Sequence, residues 1–461
     1  MDACATRRLA EVLASTTTHD LGADTLTHAR RAVLDWFGSA LAGSVEAPAK
    51  MAQQIAASLG RSDDCTIFSG GRGSGAAAAL ANGVASHILE LDDIHKGSTV
   101  HAAAAIIPAA LAVAEREHAD GNAFLTAVAL GYETAFRIGE AVNPSHYRFW
   151  HPTGTVATFG AAAAAGALMR LTPDQMTHAL GTAGTQAAGL WEFNADGAMS
   201  KHLHPGKAAM NGVLSADLAR AGFTGASRIL EGDRGFFAAM SESHDTSRVT
   251  DGLGKVWKIG ENGYKLHACC GHTHTAIDVA IGMRAERRWS LDQALAEIST
   301  VDVETYGPGY EIVKEMNPCT PYQAKFSMAY CVAAALLEGQ VGLEQFASDR
   351  FDPAGVCQPA IARLLPRIRV TVASDLSAQY PAAWPTRLTV TLRGRTALVG
   401  AAKYPLGNAE NPVDTRQLEA KMAALLEPRV GAATTRAAQD AIAALPACAD
   451  MATLFRHVLD G

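Results

Sequence analysis

The chain has 461 residues, 48% of them hydrophobic and 18% charged, the composition of an ordinary globular protein long enough for two or more domains. With 39 basic against 46 acidic residues its formal net charge is −7, which leaves no basic surplus for a phosphate backbone and excludes nucleic acid as the expected partner. Eight cysteines with no CxxC pair among them exclude a disulfide scaffold and read as reduced, mostly buried thiols.

In chain order, the first twenty residues, MDACATRRLAEVLASTTTHD, are polar within a few positions and lack the apolar core of a signal peptide. No later stretch reaches the roughly 18 unbroken apolar residues of a membrane span, so no membrane partner and a cytoplasmic location are expected. Apolar residues at three- and four-residue spacing then predict helices over Thr25–Leu41, Gly75–Leu91, Ala102–Arg116, Asn122–Val142, Thr155–Met169, Pro173–Leu190 and Gly206–Ala221. Small residues dominate their faces, so these helices can pack closely. From about Gly271 the pattern changes: Ile298–Tyr306, Arg367–Ala373 and Arg387–Leu392 alternate in β-branched residues and predict strands. Helices His274–Arg287 and Ala324–Glu338 sit among them, and Thr415–Leu426 returns to helix. The expected fold is mainly α: a large all-helical domain (1–270 and 405–461) with a smaller α+β domain inserted at 271–404.

Five polar clusters interrupt this pattern. Leu91-Asp92-Asp93-Ile94-His95-Lys96-Gly97-Ser98-Thr99-Val100-His101 places two carboxylates and two imidazoles among apolar helices, where they must be paired or used. Metal ligation, acid–base work and helix capping all fit those residue types, but the carboxylate that a magnesium–diphosphate site needs three positions beyond the pair is Lys96. His146 to Thr155 (HYRFWHPTGT) breaks at Pro152 and Gly154 just before a helix whose N-terminus offers donors to an anion. Here His151 is the candidate, while Tyr147 and Trp150 suit packing. Ser200-Lys201-His202-Leu203-His204-Pro205-Gly206-Lys207 reads as a basic loop opening onto a helix, suited to a small polyanion. Lys265 to His274 (KLHACCGHTH) supplies Cys269, Cys270, His272 and His274 as potential zinc ligands, without a spacing that zinc sites favour. Asn317 to Tyr330 leads a proline-broken loop into an apolar helix, where Tyr330 reads by default as a core aromatic with a bonded hydroxyl.

Taken together, LDDIHKGSTVH before IIPAALAVAE, WHPTGTVATFGAAAAAG, SKHLHPGKAA followed by GFTG and ILEGDRGF, HTHTAIDVA, and AKFSMAYCVAAALLEG resemble the successive signature blocks of the MmgE/PrpD superfamily. That superfamily includes 2-methylcitrate dehydratase, cis-aconitate decarboxylase and iminodisuccinate epimerase. The resemblance spans Leu91 to Gly339 and implies a helical domain built from both ends of the chain, an inserted α+β lid, an active site in the cleft between them, and a homodimer. It also implies proton transfer at carbon beside a carboxylate, with no cofactor and no metal. Matched by position, His101, His151, His274 and Tyr330 resemble the family's catalytic groups. Asp93 and Lys201 resemble its substrate-binding ones, with Tyr147, Arg148, His202 and Lys207 as further contacts.

The set suits a small di- or tricarboxylate. Removing a proton beside a carboxylate places charge on its oxygens, which a cation at Lys201 and helix amides stabilise, and histidines work as base and acid near neutral pH. The expected function is a cofactor-independent lyase, dehydratase-like or decarboxylase-like, with epimerisation of a dicarboxylate such as iminodisuccinate as the alternative. A zinc hydrolase built on Cys269, Cys270, His272 and His274, and a non-catalytic binding protein, are the readings from other classes.

Overall fold

In the computed structural model, which describes residues 4–60 and 62–455, the chain forms two compact units. The first holds the chain up to Ile88, Asp92–Asn262 and the chain from Asp414 onward. The second holds Leu89–Leu91 and Gly263–Val413. The junctions fall at 263 and 413 rather than at 271 and 404, because the flanking segments are tied to each other and to the second unit. Tyr264 N–H donates to the Gly407 carbonyl at 3.0 Å, Ala268 N–H to the Val341 carbonyl at 3.0 Å, and Leu406 N–H to the Asp278 carboxylate at 2.7 Å.

The first unit is helical: α1 Ala5–Ser15, α2 Thr18–Gly43, α3 Ala47–Ser58, α4 Gly75–His87, α5 Ala103–Arg116, α6 Gly121–Val142, α7 Pro152–Leu168, α8 Pro173–Gly184 and α9 Ser200–Arg220, with a C-terminal helix Thr415–Ala443 against α2. A short hairpin pairs Cys65–Ile67 with Gly71–Gly73. Helix α4 stops at His87, four residues short of the expected end. Helix α9 starts at Ser200, so the segment read as a basic loop is helical through Pro205. A proline this close to a helix start removes a single internal hydrogen bond, a cost that packing offsets.

The core of this unit is the crossing of α9 over α4 and α7, and of α6 over α7. Glycines set the separation. A Cβ on Gly83 of α4 would lie 2.7 Å from the Gly206 Cα of α9, and a Cβ on Gly206 would lie 2.6 Å from the Leu80 carbonyl oxygen. Gly160 of α7 meets the Gly131 carbonyl of α6 in the same way, at 2.7 Å. Alanines at 77–79, 103–105 and 161–165, nearly all with no exposed surface, fill the remaining faces.

The second unit is α+β. Its four-stranded sheet comprises β1 Ile298–Thr305, β2 Ile368–Val372, β3 Thr386–Leu392 and β4 Ala397–Ala402 in the order β2-β1-β3-β4. Only the β1–β2 pair is parallel. Alternation buries Ile298, Val301, Val303 and Thr305 of β1, and helices α10 Gly271–Arg287 and α11 Met328–Glu338 cover the sheet. The helix expected from Ala324 is broken at Phe326–Ser327, where the Ser327 hydroxyl accepts the Tyr330 N–H and caps a new start at Met328. Among the described residues no helix is long and apolar enough to cross a membrane.

Two glycine substitutions separate helix propensity from packing. Alanine gains about 1 kcal/mol over glycine in a helix interior, so Gly282→Ala, on α10 with open space around it, is expected to raise the urea midpoint. Gly83→Ala makes the same gain but presses on backbone that cannot withdraw, an overpacking cost of about 1–3 kcal/mol or more. Its midpoint is expected to fall. A Gly83→Ala midpoint equal to or above that of the parent contradicts the close crossing.

Candidate functional site

The turn after α4 brings Asp92 back onto the last residue of that helix. His87 is fully buried, and its Nδ1 lies 2.6 Å from Asp92 Oδ2, itself without exposed surface. The same carboxylate oxygen lies 3.4 Å from His101 Nδ1. His101 Nδ1–H donates to the Asp93 main-chain carbonyl at 2.6 Å, and because a carbonyl only accepts, this fixes the tautomer and leaves Nε2 as the ring's basic nitrogen. His87 is fixed likewise, and among the described residues its buried Nε2 has no hydrogen-bond partner. One carboxylate thus orients His87 and stands beside His101, and the two rings meet edge to face at 4.9 Å.

Asp93, expected to contact substrate, is spent on structure. One oxygen accepts the Ala103 N–H at 3.0 Å, at the start of α5, and the other accepts the Tyr132 hydroxyl at 2.6 Å. Burial pushes its carboxyl up to about 7 against the pull of both bonds. Of the roles the sequence left open, helix capping thus falls to Asp93, and Asp92 faces the histidines.

A second pair adjoins the first. His151 is the residue before α7, 1% exposed, with its N–H held by the Gly189 carbonyl at 2.9 Å. Its ring stacks on His87 at 5.5 Å and lies 6.2 Å from His101, with Trp191 at 4.9 Å on another side. His151 Nδ1 is 3.0 Å from His204 Nδ1. Burial holds His151 well below the usual histidine range, and His204, His87, Lys201 and His101 add to the effect. His204 is pushed down to about 3 by burial first and by Lys207, His87 and Lys201 next. Lys201, 2% exposed in the first turn of α9, is the cation of the cluster. His202, 8% exposed, presents its ring 6.4 Å from His87. Neither α7 nor α9 has an acidic residue in its first turn, so both positive helix ends remain available to an anion.

The other expected contacts fall elsewhere. Lys207 Nζ donates to the carbonyls of Gly154 (3.3 Å), Gln186 (3.3 Å) and Ala188 (2.8 Å). Its three hydrogens are consumed in pinning the 186–188 segment to α7, and burial lowers the amine to about 8. Tyr147 is half-buried with its ring against Trp191 at 5.1 Å. Arg148 is exposed and paired with Glu242 at 3.0 Å. In the second unit, His274 is buried with Nε2 3.2 Å from the Cys269 carbonyl and its ring beside His267. Tyr330 donates to the Gln345 carbonyl in the core beside Phe346 and Phe351, and burial pushes its hydroxyl well above the ordinary tyrosine range.

No zinc cluster forms from Cys269, Cys270, His272 and His274 among the described residues. Cys269 Sγ is 3.1 Å from the Thr273 hydroxyl, and His272 Nδ1 is 2.6 Å from the Tyr306 hydroxyl. Three-ligand groupings arise instead at His87–Asp92–His101 and at His95–Glu140–Glu261. In the first, the 2.6 Å between His87 and Asp92 is a hydrogen bond, whereas two ligands of one tetrahedral zinc sit roughly 3.3 Å apart. In the second, the Lys258 ammonium occupies the cation's place, 3.2 Å from Glu140 and 3.0 Å from Glu261.

Sequence reasoning passed over His87 and the orienting role of Asp92, and read His204 only as part of a basic loop. His87 lies on an apolar helix, where a lone histidine reads as core. The available signal was its five-residue spacing to Asp92.

Residues 7–249 match the family model for the MmgE/PrpD N-terminal domain, and residues 267–446 match that for the MmgE/PrpD C-terminal domain. The chain is 32% identical over 359 residues to the cis-aconitate decarboxylase-like protein oryM of Aspergillus oryzae, covering 73% of this chain and 74% of that one. It is 27% identical over 412 residues to a cis-aconitate decarboxylase of Aspergillus terreus, covering 85% and 83%. The human cis-aconitate decarboxylase is 26% identical over 357 residues, covering 75% and 72%.

The two aspartates are expected to part in experiment. Asp92→Asn removes the charge that orients His87 and faces His101, and is expected to lower kcat by about 10²-fold or more, in the range of a misoriented catalytic histidine, with thermal stability little changed. Asp93→Asn acts on stability. Its carboxyl favours the folded state below its ordinary value of 3.8, and that advantage is lost as pH rises toward about 7. The variant is therefore expected to gain on the parent between pH 4 and pH 7 in denaturation midpoints. A constant offset across that window contradicts the buried, raised carboxyl.

Proposed function

We propose that this chain, which belongs to the MmgE/PrpD family, is a cofactor-independent carboxy-lyase acting on a small unsaturated tricarboxylate of the cis-aconitate kind. What carries the reading is a buried cation, Lys201, set in one cluster with His101, whose tautomer the Asp93 carbonyl fixes, and the buried His151, whose Nδ1 meets that of His204. The names of the relatives point the same way.

The substrate's carboxylates are drawn to Lys201 and to the N-terminal ends of α7 and α9. Breaking the carbon–carboxylate bond releases carbon dioxide and leaves an electron pair, which spreads through the double bond toward a neighbouring carboxylate. Lys201 stabilises that charge where it develops. A proton delivered to the carbon beside that carboxylate by His151 completes the product. The His151 ring is 1% exposed, and burial holds it neutral between proton transfers. Tyr330 and Lys207 take no part in this scheme, since their polar atoms are committed to backbone carbonyls.

Incubation in heavy water with cis-aconitate, 2-methylcitrate and iminodisuccinate, followed by NMR, tests the proposal. The expected outcome is release of carbon dioxide from the first, with one solvent deuteron at carbon in the product. Water loss from 2-methylcitrate alone makes the enzyme a dehydratase, deuterium exchange into iminodisuccinate alone makes it an epimerase, and no reaction with any of the three refutes the proton-transfer reading. Lys201→Ala is expected to lower kcat/KM by about 10²-fold or more with an unchanged circular dichroism spectrum. Dialysis against a chelator is expected to leave the rate unchanged; stoichiometric zinc, with turnover lost on its removal, overturns the cofactor-independent scheme.

A further inference from the structure

We infer that His204 is the proton partner of His151, handing it a proton through the Nδ1···Nδ1 hydrogen bond as His151 gives one up to the substrate carbon. The inference rests on the carboxy-lyase reading and extends it to a residue that reading does not use.

The geometry admits one arrangement of protons. Two ring nitrogens 3.0 Å apart repel if both are protonated or both are lone pairs, so a single proton lies between them and the two rings hold complementary tautomers. When His204 supplies that proton, His151 is left with its remaining N–H at Nε2 and acts as an acid. Burial keeps both rings neutral. A neutral imidazole cannot surrender its Nε2 proton without becoming an anion unless a proton arrives at Nδ1 in the same event, and His204 is positioned to deliver it.

The surroundings hold His204 to this task. Its ring lies in a notch left by two glycines. A Cβ on Gly154 would lie 3.1 Å from His204 Cβ, and one on Gly189 would lie 3.3 Å from His204 Nδ1. The ring of Phe193 stands edge-on at 5.3 Å. The same notch is fixed from below by Lys207, which binds the Gly154 and Ala188 carbonyls. His151 is 1% exposed, whereas His204 is half-buried and follows Leu203, which is 50% exposed. His204 is therefore the member of the pair nearer to water.

Decarboxylation creates the demand. A trianion that loses carbon dioxide becomes a dianion only by taking up one proton, so each turnover consumes a proton from solvent. The Nε2 proton of His151 goes to the substrate carbon, the Nδ1 proton of His204 crosses to His151 Nδ1, and water protonates His204 at Nε2. The two tautomers are then inverted. They return after product leaves, when water entering the vacated site protonates His151 at Nε2, the bridging proton crosses back, and His204 releases its Nε2 proton.

Two variants and a spectrum test this. His204→Asn keeps a donor toward His151 Nδ1 but cannot pass a proton on, and His204→Ala leaves a ring-sized gap. With cis-aconitate, both are expected to lose at least about tenfold in kcat, at the low end of acid–base effects, with KM within about twofold. Added imidazole is expected to restore turnover saturably in the alanine variant and not in the filled asparagine variant. A His204→Asn kcat within about twofold of the parent overturns the inference, as does a loss confined to KM that imidazole leaves unchanged. Histidine ¹⁵N spectra of the parent, read without substrate, are expected to show His151 and His204 in complementary tautomers. Two rings of the same tautomer overturn the pairing even where turnover is normal. If the parent leaves every polycarboxylate untouched, complementary tautomers preserve the pair while the carboxy-lyase reading falls.

Discussion

The first unit is organised around one close approach, the contact of α4 with α9 at Gly83 and Gly206, where neither backbone tolerates a side-chain carbon on the other. One helical turn beyond Gly83 lies His87, and within about a turn of Gly206 lie Lys201, His202 and His204. A wider crossing, of the kind larger side chains impose, would carry these groups apart by more than a hydrogen-bond length. The alanine-rich faces of α4, α5 and α7 therefore serve the chemistry indirectly: small residues let the main chains meet, and the meeting point sets where the polar groups stand.

Within that frame, burial governs the electrostatics. Water is excluded from His87, His151 and Asp92, so charge is costly there, and burial holds the His151 and His204 rings neutral. Positive character is supplied by Lys201 and by two uncapped helix ends. Such a site attracts a polyanion and still offers it a neutral imidazole pair, His151 and His204, for proton transfer.

Much of this was legible in the residues alone. The β-branched alternation located β1, β2 and β3 to within a residue or two, and the family blocks located the polar clusters. What the sequence withheld depends on the direction of single turns. Asp92 and Asp93 are adjacent and chemically identical, and only the path of the chain after α4 decides which faces the histidines and which receives the α5 amide. Pro205 suggested a loop where a helix tolerates one missing bond. Lys207 read as a ligand for anions because nothing in a sequence reveals three backbone carbonyls converging from α7 and the 186–188 segment. Lys265 and Leu406 fell on the wrong side of the expected junctions because hydrogen bonds between distant segments, rather than composition, define a unit.

The division of the chain also bears on modularity. The second unit is not one continuous stretch, since it includes Leu89–Leu91. Glu90 of that tripeptide adopts a left-handed backbone conformation, φ 59°, and its carboxylate lies 3.4 Å from the almost fully buried ammonium of Lys265. A fragment cut at 263–413 would carry Lys265 into its interior without this counter-charge, and a fragment lacking 263–413 would keep the glutamate without the lysine. The tripeptide sits only a few residues from both His87 and Asp92, so the chain spanning this graft is the chain that sets the His87–Asp92 hydrogen bond. Recombination that exchanges the inserted unit between relatives must therefore carry three residues from the far side of the gene along with it.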